Sequence, residues 1–133
     1  MRLRRRRPAA APASYHDDGT LTVLVRAADP AVADSAVLAA AGLDLSVPLL
    51  VRHHLLLPGD AAVAEAGRLL AQDGYQLSVV DPGPPVQVRA WRTQLLTALS
   101  AAQERSRMAG LAQRLGGDVD GWDACGPGPG TPG

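Results

Sequence analysis

The chain has 133 residues, 47% of them hydrophobic but only 3% aromatic, and its formal net charge is zero. That suits one globular domain with a core of small aliphatic side chains, in which Trp91, Trp122, Tyr75 and Met108 weigh heavily on the packing. No run of about 18 apolar residues is present, which excludes a membrane-spanning helix, and the one cysteine, Cys125, has no partner for an internal disulfide, which fits a cytoplasmic protein.

In chain order, residues 1–19 come first, with "RLRRRRP" followed by "PAAAPAS", and they read as a disordered basic leader. The arginine run is the one segment suited to RNA or a membrane surface. No apolar stretch follows it, so it is neither a Sec nor a twin-arginine signal. Beyond it, eight arginines face thirteen acids, a net charge of −5, which makes the body a poor nucleic-acid surface.

Residues 20–48 hold a short strand and a helix. "LTVLVR" is the β-prone run, and "DPAVADSAVLAAAG" places Asp29 at an N-cap, Pro30 at the first helical position and Gly42 as the stop. From Leu49, "LLVRHHLLL" alternates as a strand: Leu49, Val51, His53, Leu55 and Leu57 on one face, Leu50, Arg52, His54 and Leu56 on the other. Pro58-Gly59 ends it. Asp60 is the expected cap of a helix whose apolar face is Ala62, Val63, Ala66, Leu69 and Leu70, stopped by Gly74.

"YQLSVV" is the next strand, "DPGPP" a turn, and "VQVRAW" a strand with Val86, Val88 and Ala90 opposite Gln87, Arg89 and Trp91. A long helix follows from about Thr97, an N-cap, to Leu115. Its expected stripe is Leu99, Ala102, Met108, Leu111, Ala112 and Leu115, interrupted by Arg105. Gly116-Gly117 stops it, "DVDGWDAC" is the last strand, and 126–133 is a Gly/Pro tail. Residues 49–125 thus read β-α-β-β-α-β, the order of a ferredoxin-like α+β domain, an antiparallel sheet with both helices on one face. That plan hosts many functions and supplies none by itself.

Few residues suggest chemistry. His53 and His54 are neighbours on a strand and point to opposite faces, so they cannot share one metal, and no Cys/His spacing resembles a zinc site. Cys125 has no sequence signal for nucleophilic activation. Asp118, Asp120 and Asp123 imitate a calcium loop but lack its length and closing glutamate. No glycine run opens a helix as a phosphate cradle. No cofactor is expected. That leaves "DGWD", in which Trp122 either anchors the core or meets a partner, and Gly121 permits a bulge or a close backbone approach.

"LVRHHLLLPGDAAVAEAGRLLAQDGYQLSVV" and "LAQRLGGDVDGWDA" together resemble the RraB family, protein inhibitors of ribonuclease E. The resemblance rests on Arg52-His53-His54 in a strand, a helix ending at Gly74-Tyr75, and Gly117, Asp120, Gly121 and Trp122 after the last helix. It spans about residues 30 to 125, including "DLSVP". Val119 stands where the family usually has tyrosine, and the body is less acidic than is usual there. The resemblance implies a ferredoxin-like fold, no enzyme activity, and binding to a ribonuclease E-like endoribonuclease that alters RNA decay. It implies partner contact through Asp120, Gly121 and Trp122, with Trp91 and His54 as further candidates. The alternative is a small-molecule-binding ferredoxin-like domain with a pocket of His54, Trp91 or Arg89 on the sheet face away from the helices. This plan often dimerises through its sheet, which leaves a homo-oligomer open.

Overall fold

A computed structural model describes residues 14–128. The arginine run and most of the Gly/Pro tail lie outside the described residues. The elements are β1 (Thr22–Ala27), α1 (Asp34–Ala41), β2 (Leu49–Leu57), α2 (Asp60–Ala71), β3 (Gln76–Asp81), β4 (Val86–Gln94), α3 (Ala98–Arg114) and β5 (Asp118–Gly126). The fold is α+β, with one five-stranded sheet in the order β1-β5-β2-β4-β3 and every neighbouring pair antiparallel. The N-terminal strand thus joins the main sheet, at the edge beside β5.

The period-two pattern of β2 sorts as expected. Its odd-numbered leucines face the helices, where Leu55 and Leu57 pack with Val86, Val88 and Ala90 of β4, Ala66 and Leu70 of α2, and Met108, Leu111 and Ala112 of α3. A second cluster on the same face joins Leu49 and Val51 to Leu38 of α1, Ala101 of α3 and Trp122 of β5. All three helices therefore cover one side of the sheet. Leu50, Trp91 and Cys125 form a smaller cluster on the other side, under Tyr15 and Leu21.

Two helices differ from their expected form. Asp29 does not cap α1. Its Oδ1 accepts the N–H of Ala31 at 2.9 Å and closes a local turn, so the helix starts five residues later, behind Ala33, with no side-chain cap. A short acidic side chain before proline serves a turn as readily as a helix end. Gly42 does terminate the helix, in the left-handed conformation at φ 63°. Asp60 likewise occupies the first turn of α2 rather than the cap position, which is Gly59.

In α3 the cap expectation holds: Thr97 and Ser100 form a reciprocal capping box. Met108, Leu111, Ala112 and the partly buried Leu115 face inward as the expected stripe has them, and only its first turn, Leu99 and Ala102, departs. Leu99 is 67% exposed, while Ala101, Met108, Leu111 and Ala112 are buried. The phase set by the cap turns Glu104 and Arg105 toward the sheet, because polar partners wait for them there.

Candidate functional site

β5 carries the closing motif, and its path explains the motif. His53 of β2 lies opposite Trp122, but Leu55 lies opposite Val119. Two residue steps on β2 match three on β5, so Asp120-Gly121 is a β-bulge. Gly121 sits at φ +86°, and an added Cβ there would strike the carbonyl of Ala27 on β1. The extra residue re-phases the strand. Without it, strict alternation from Val119 would turn Trp122 away from the helices and Asp123 toward them. With it, Trp122 points to the helices and Asp123 to the opposite face.

On the helix side Trp122 is 1% exposed. Its indole N–H donates to Asp34 Oδ1 at 3.1 Å, and the same carboxylate oxygen pairs with Arg105 at 3.2 Å. Nearby, Glu104 accepts from Tyr75 Oη at 2.9 Å, Gln94 Nε2 at 2.7 Å and His53 Nε2 at 3.3 Å. Arg92 approaches Oε2, the oxygen Gln94 also bonds, at 3.4 Å and stacks 4.2 Å over the Tyr75 ring. Burial pushes the Glu104 carboxyl up, but the hydrogen bonds from His53, Gln94 and Tyr75 outweigh it and bring it down to about 2. Burial, reinforced by Glu104, pushes the Tyr75 phenol well above its usual range.

On the opposite face Asp123, fully buried, receives Arg52 in a two-point contact of 2.7 and 2.9 Å and the Nε2–H of His54 at 2.8 Å. Burial opposes its charge, yet the bonds from His54 and Arg52 hold it well below the usual carboxylate range. The hydrogen bond to Asp123 in turn raises Arg52. Cys125 beside it is free and buried, and burial together with the Asp123 charge lifts its thiol to about 11. It is a thiol at neutral pH, not a nucleophilic thiolate.

Residues 14–21 have no helix or strand, but they lie across this face. The N–H of Tyr15 donates to Thr93 Oγ1 at 2.8 Å. Asp17 takes Arg52 at 2.9 Å and Arg89 at 3.0 Å, with its side chain 4% exposed. Trp91 bonds Ser78 Oγ at 2.9 Å and meets the edge of His16.

The five residues singled out in the sequence therefore divide. Asp120 and Gly121 line a cleft of about 490 Å³ with Ala28, Pro30, Arg105 and Gln113, between α3, the bulge and the β1–α1 connection. Trp122 lies beneath, in the core. Trp91 and His54 lie on the other side of the sheet, where Trp91 borders a second hollow of about 470 Å³ with Ser14, Tyr15 and His16. Of the charged groups that organise both faces, Arg89 entered only through the pocket of the alternative reading, Asp123 only through the calcium-like spacing and Arg52 only through the family motif, and Asp17, Asp34 and Glu104 were not singled out. One signal was present: an arginine inside the apolar run "LLVRHHLLL" demands a buried acid. The sequence did not say that a bulge would bring Asp123 to it. Among the described residues no three His, Cys, Asp or Glu side chains gather as a metal site, and no helix is long and apolar enough to cross a membrane.

The family whose model is described as "regulator of ribonuclease activity B" matches residues 35–124, more than half of the chain. The chain belongs to the RraB family. The match runs from α1 through the bulge to Ala124, and β1 and residues 14–34 lie outside it. RraB proteins are regulators of ribonuclease activity, and the role of this chain is accordingly regulatory. No curated protein and no solved structure matches the chain.

Proposed function

We propose that this RraB-family protein binds an endoribonuclease of the ribonuclease E type in the cytoplasm and restrains RNA decay by protein–protein contact, without chemistry of its own. The observation that carries this reading is the family match across the whole stretch from α1 to β5, with the Asp-Gly-Trp motif built as a bulge. We read the β5-β2-β4-β3 portion with α2 and α3 as a ferredoxin-like unit to which β1 and α1 are added.

Within this reading Asp120, exposed on the bulge, contacts the partner at the cleft beside α3. Gly121 and Trp122 hold the bulge in shape, so their effect on binding is through that shape. Trp91 and His54 lie on the opposite face, where Trp91 is buried beneath Tyr15, so a partner reaches them only where residues 14–21 yield. The buried, protonated thiol and fully occupied carboxylates favour contact over catalysis.

The test is cleavage of a structured RNA by a ribonuclease E-type enzyme, with the full chain and with a fragment spanning residues 14–128. Dose-dependent slowing by both is expected. The fragment begins at 14 because Tyr15 and Asp17 are part of the packed body. Unchanged cleavage at stoichiometric excess of either form, with the fold intact, would sink the proposal. Asp120→Arg should raise the half-inhibitory concentration by about tenfold, since one reversed charge at a contact costs on the order of 1.4 kcal/mol.

A further inference from the structure

Residues 14–21 occupy the open sheet face as a ligand would. Tyr15 and Asp17, two residues apart, turn inward, while Ser14, His16 and Asp18 are exposed. No strand pairing holds the segment. Its attachments are the Tyr15 N–H and carbonyl to the Thr93 hydroxyl, the apolar contacts of Tyr15 and Leu21 with the Leu50–Trp91–Cys125 cluster, the edge contact of His16 with Trp91, and the carboxylate of Asp17.

The surface beneath is built to take an anion. Arg52 is fixed from behind by its two-point contact with Asp123, leaving Nη1 directed at Asp17. Arg89 has Asp17 as its salt-bridge partner, and its Nε is buried with no acceptor among the described residues. A guanidinium with one donor unused still has capacity for a further carboxylate oxygen. If Asp17 leaves, Arg89 loses its one salt-bridge partner among the described residues, while Asp123 stays bonded to Arg52 and His54.

We propose that the sheet face under residues 14–21 is a docking groove for an extended acidic peptide segment of a protein partner, with an aromatic or apolar side chain two residues before a carboxylate, and that residues 14–21 are a built-in competitor for it. The groove has this capacity whichever ribonuclease is the partner, and the test uses none. The apolar side chain takes the place of Tyr15 over Leu50 and Trp91. The carboxylate takes the place of Asp17 between Arg52 and Arg89, and a glutamate arm reaches the unused Nε. The strap lies outside the residues that the family model matches and crosses strands that it does match.

The probe is a synthetic peptide of residues 14–21, Ser-Tyr-His-Asp-Asp-Gly-Thr-Leu, added to the full chain carrying Tyr15→Ser and Asp17→Asn. Binding is read from Trp91 fluorescence in a Trp122→Phe background and by calorimetry. Saturable binding is expected, weakened about tenfold or more when the peptide carries asparagine for its first aspartate, because a charged hydrogen bond is lost. Arg89→Gln in the protein should give the same loss. The single isosteric Asp17→Asn chain, without Trp122→Phe, is the second host, read by calorimetry, and preserves the test if the multiple variant does not fold. Equal binding of the aspartate and asparagine peptides, or no binding to a folded host, overturns the proposal.

Discussion

A methyl group added at Gly121 would meet the backbone carbonyl of Ala27, and the φ of +86° is one that alanine resists. Gly121→Ala must therefore either strain the residue, at about 1–2 kcal/mol, or push β1 from β5. The larger consequence follows if the bulge is lost: Trp122 leaves the core and Asp123 leaves Arg52. Gly121→Ala is expected to destabilise by more than about 2 kcal/mol in urea unfolding; a loss under about 0.5 kcal/mol would show that the bulge tolerates a side chain. Asp123→Ala strips Arg52 and His54 of their shared acceptor on a buried face. A loss of about 3 kcal/mol or more is expected, as for other broken buried pairs, and Arg52→Met combined with Asp123→Leu should recover part of it, which a double-mutant cycle would measure. The bulge was legible at this scale as a permission given by glycine. That it occurs, and that it sends Asp123 to an arginine on β2, depends on pairings between residues about seventy positions apart, which no local pattern encodes.

Among the elements, α3 shows how hydropathy misleads when the sheet beneath is polar. Reading its stripe through Leu99 and Ala102 followed the apolar residues, but the helix rotates to seat Glu104 on His53, Tyr75 and Gln94, and Arg105 on Asp34. Leu99 is left in solvent. Leu99→Ala should change stability by less than about 0.5 kcal/mol, whereas Met108→Ala, fully buried, should cost about 2–5 kcal/mol. Thr97→Ala removes the capping box and should cost about 1 kcal/mol. Thermal melts measure all three. Met108 is inward in either phase of the helix, so the melt of Leu99→Ala decides between the two, and a large loss there would restore the expected first turn. The strands were read more faithfully. Their alternation on β2 and β4 follows directly from which side chains avoid water, and both faces of β2 carry the residues expected.

For the molecule as a whole, two carboxylates held low by their partners set the acid limit of stability. The folded-state values of Glu104, brought down to about 2, and of Asp123 lie below their ordinary 4.5 and 3.8. Groups depressed on folding stabilise above their unfolded values and lose that contribution as pH falls through the folded ones. At the other end, the Cys125 thiol rises from an ordinary 9.0 to about 11, so the unfolded chain ionises first and stability falls as pH climbs past about 9. Urea midpoints should therefore decline as pH falls below about 5 and as it climbs past about 9. Glu104→Gln should shallow the acid limb, and Cys125→Ala the alkaline one. An acid limb as steep in Glu104→Gln as in the parent would mean that this carboxylate does not carry the effect. Removal of residues 14–21 should also reveal itself globally, since Leu50, Trp91 and Cys125 lose their cover.

The sequence by itself determined the number and kind of most elements, the sidedness of β2 and β4, the glycine stops and the family, because each of these is written in spacings of a few residues or in one compact motif. Only the tertiary structure decided that β1 joins the sheet beside β5, that α3 turns its charges inward, that Trp122 is core while Asp123 belongs to the other face, and that residues 14–21 close that face. Those outcomes depend on hydrogen bonds and ion pairs between distant segments, where a buried charge selects whichever partner the sheet register brings within reach.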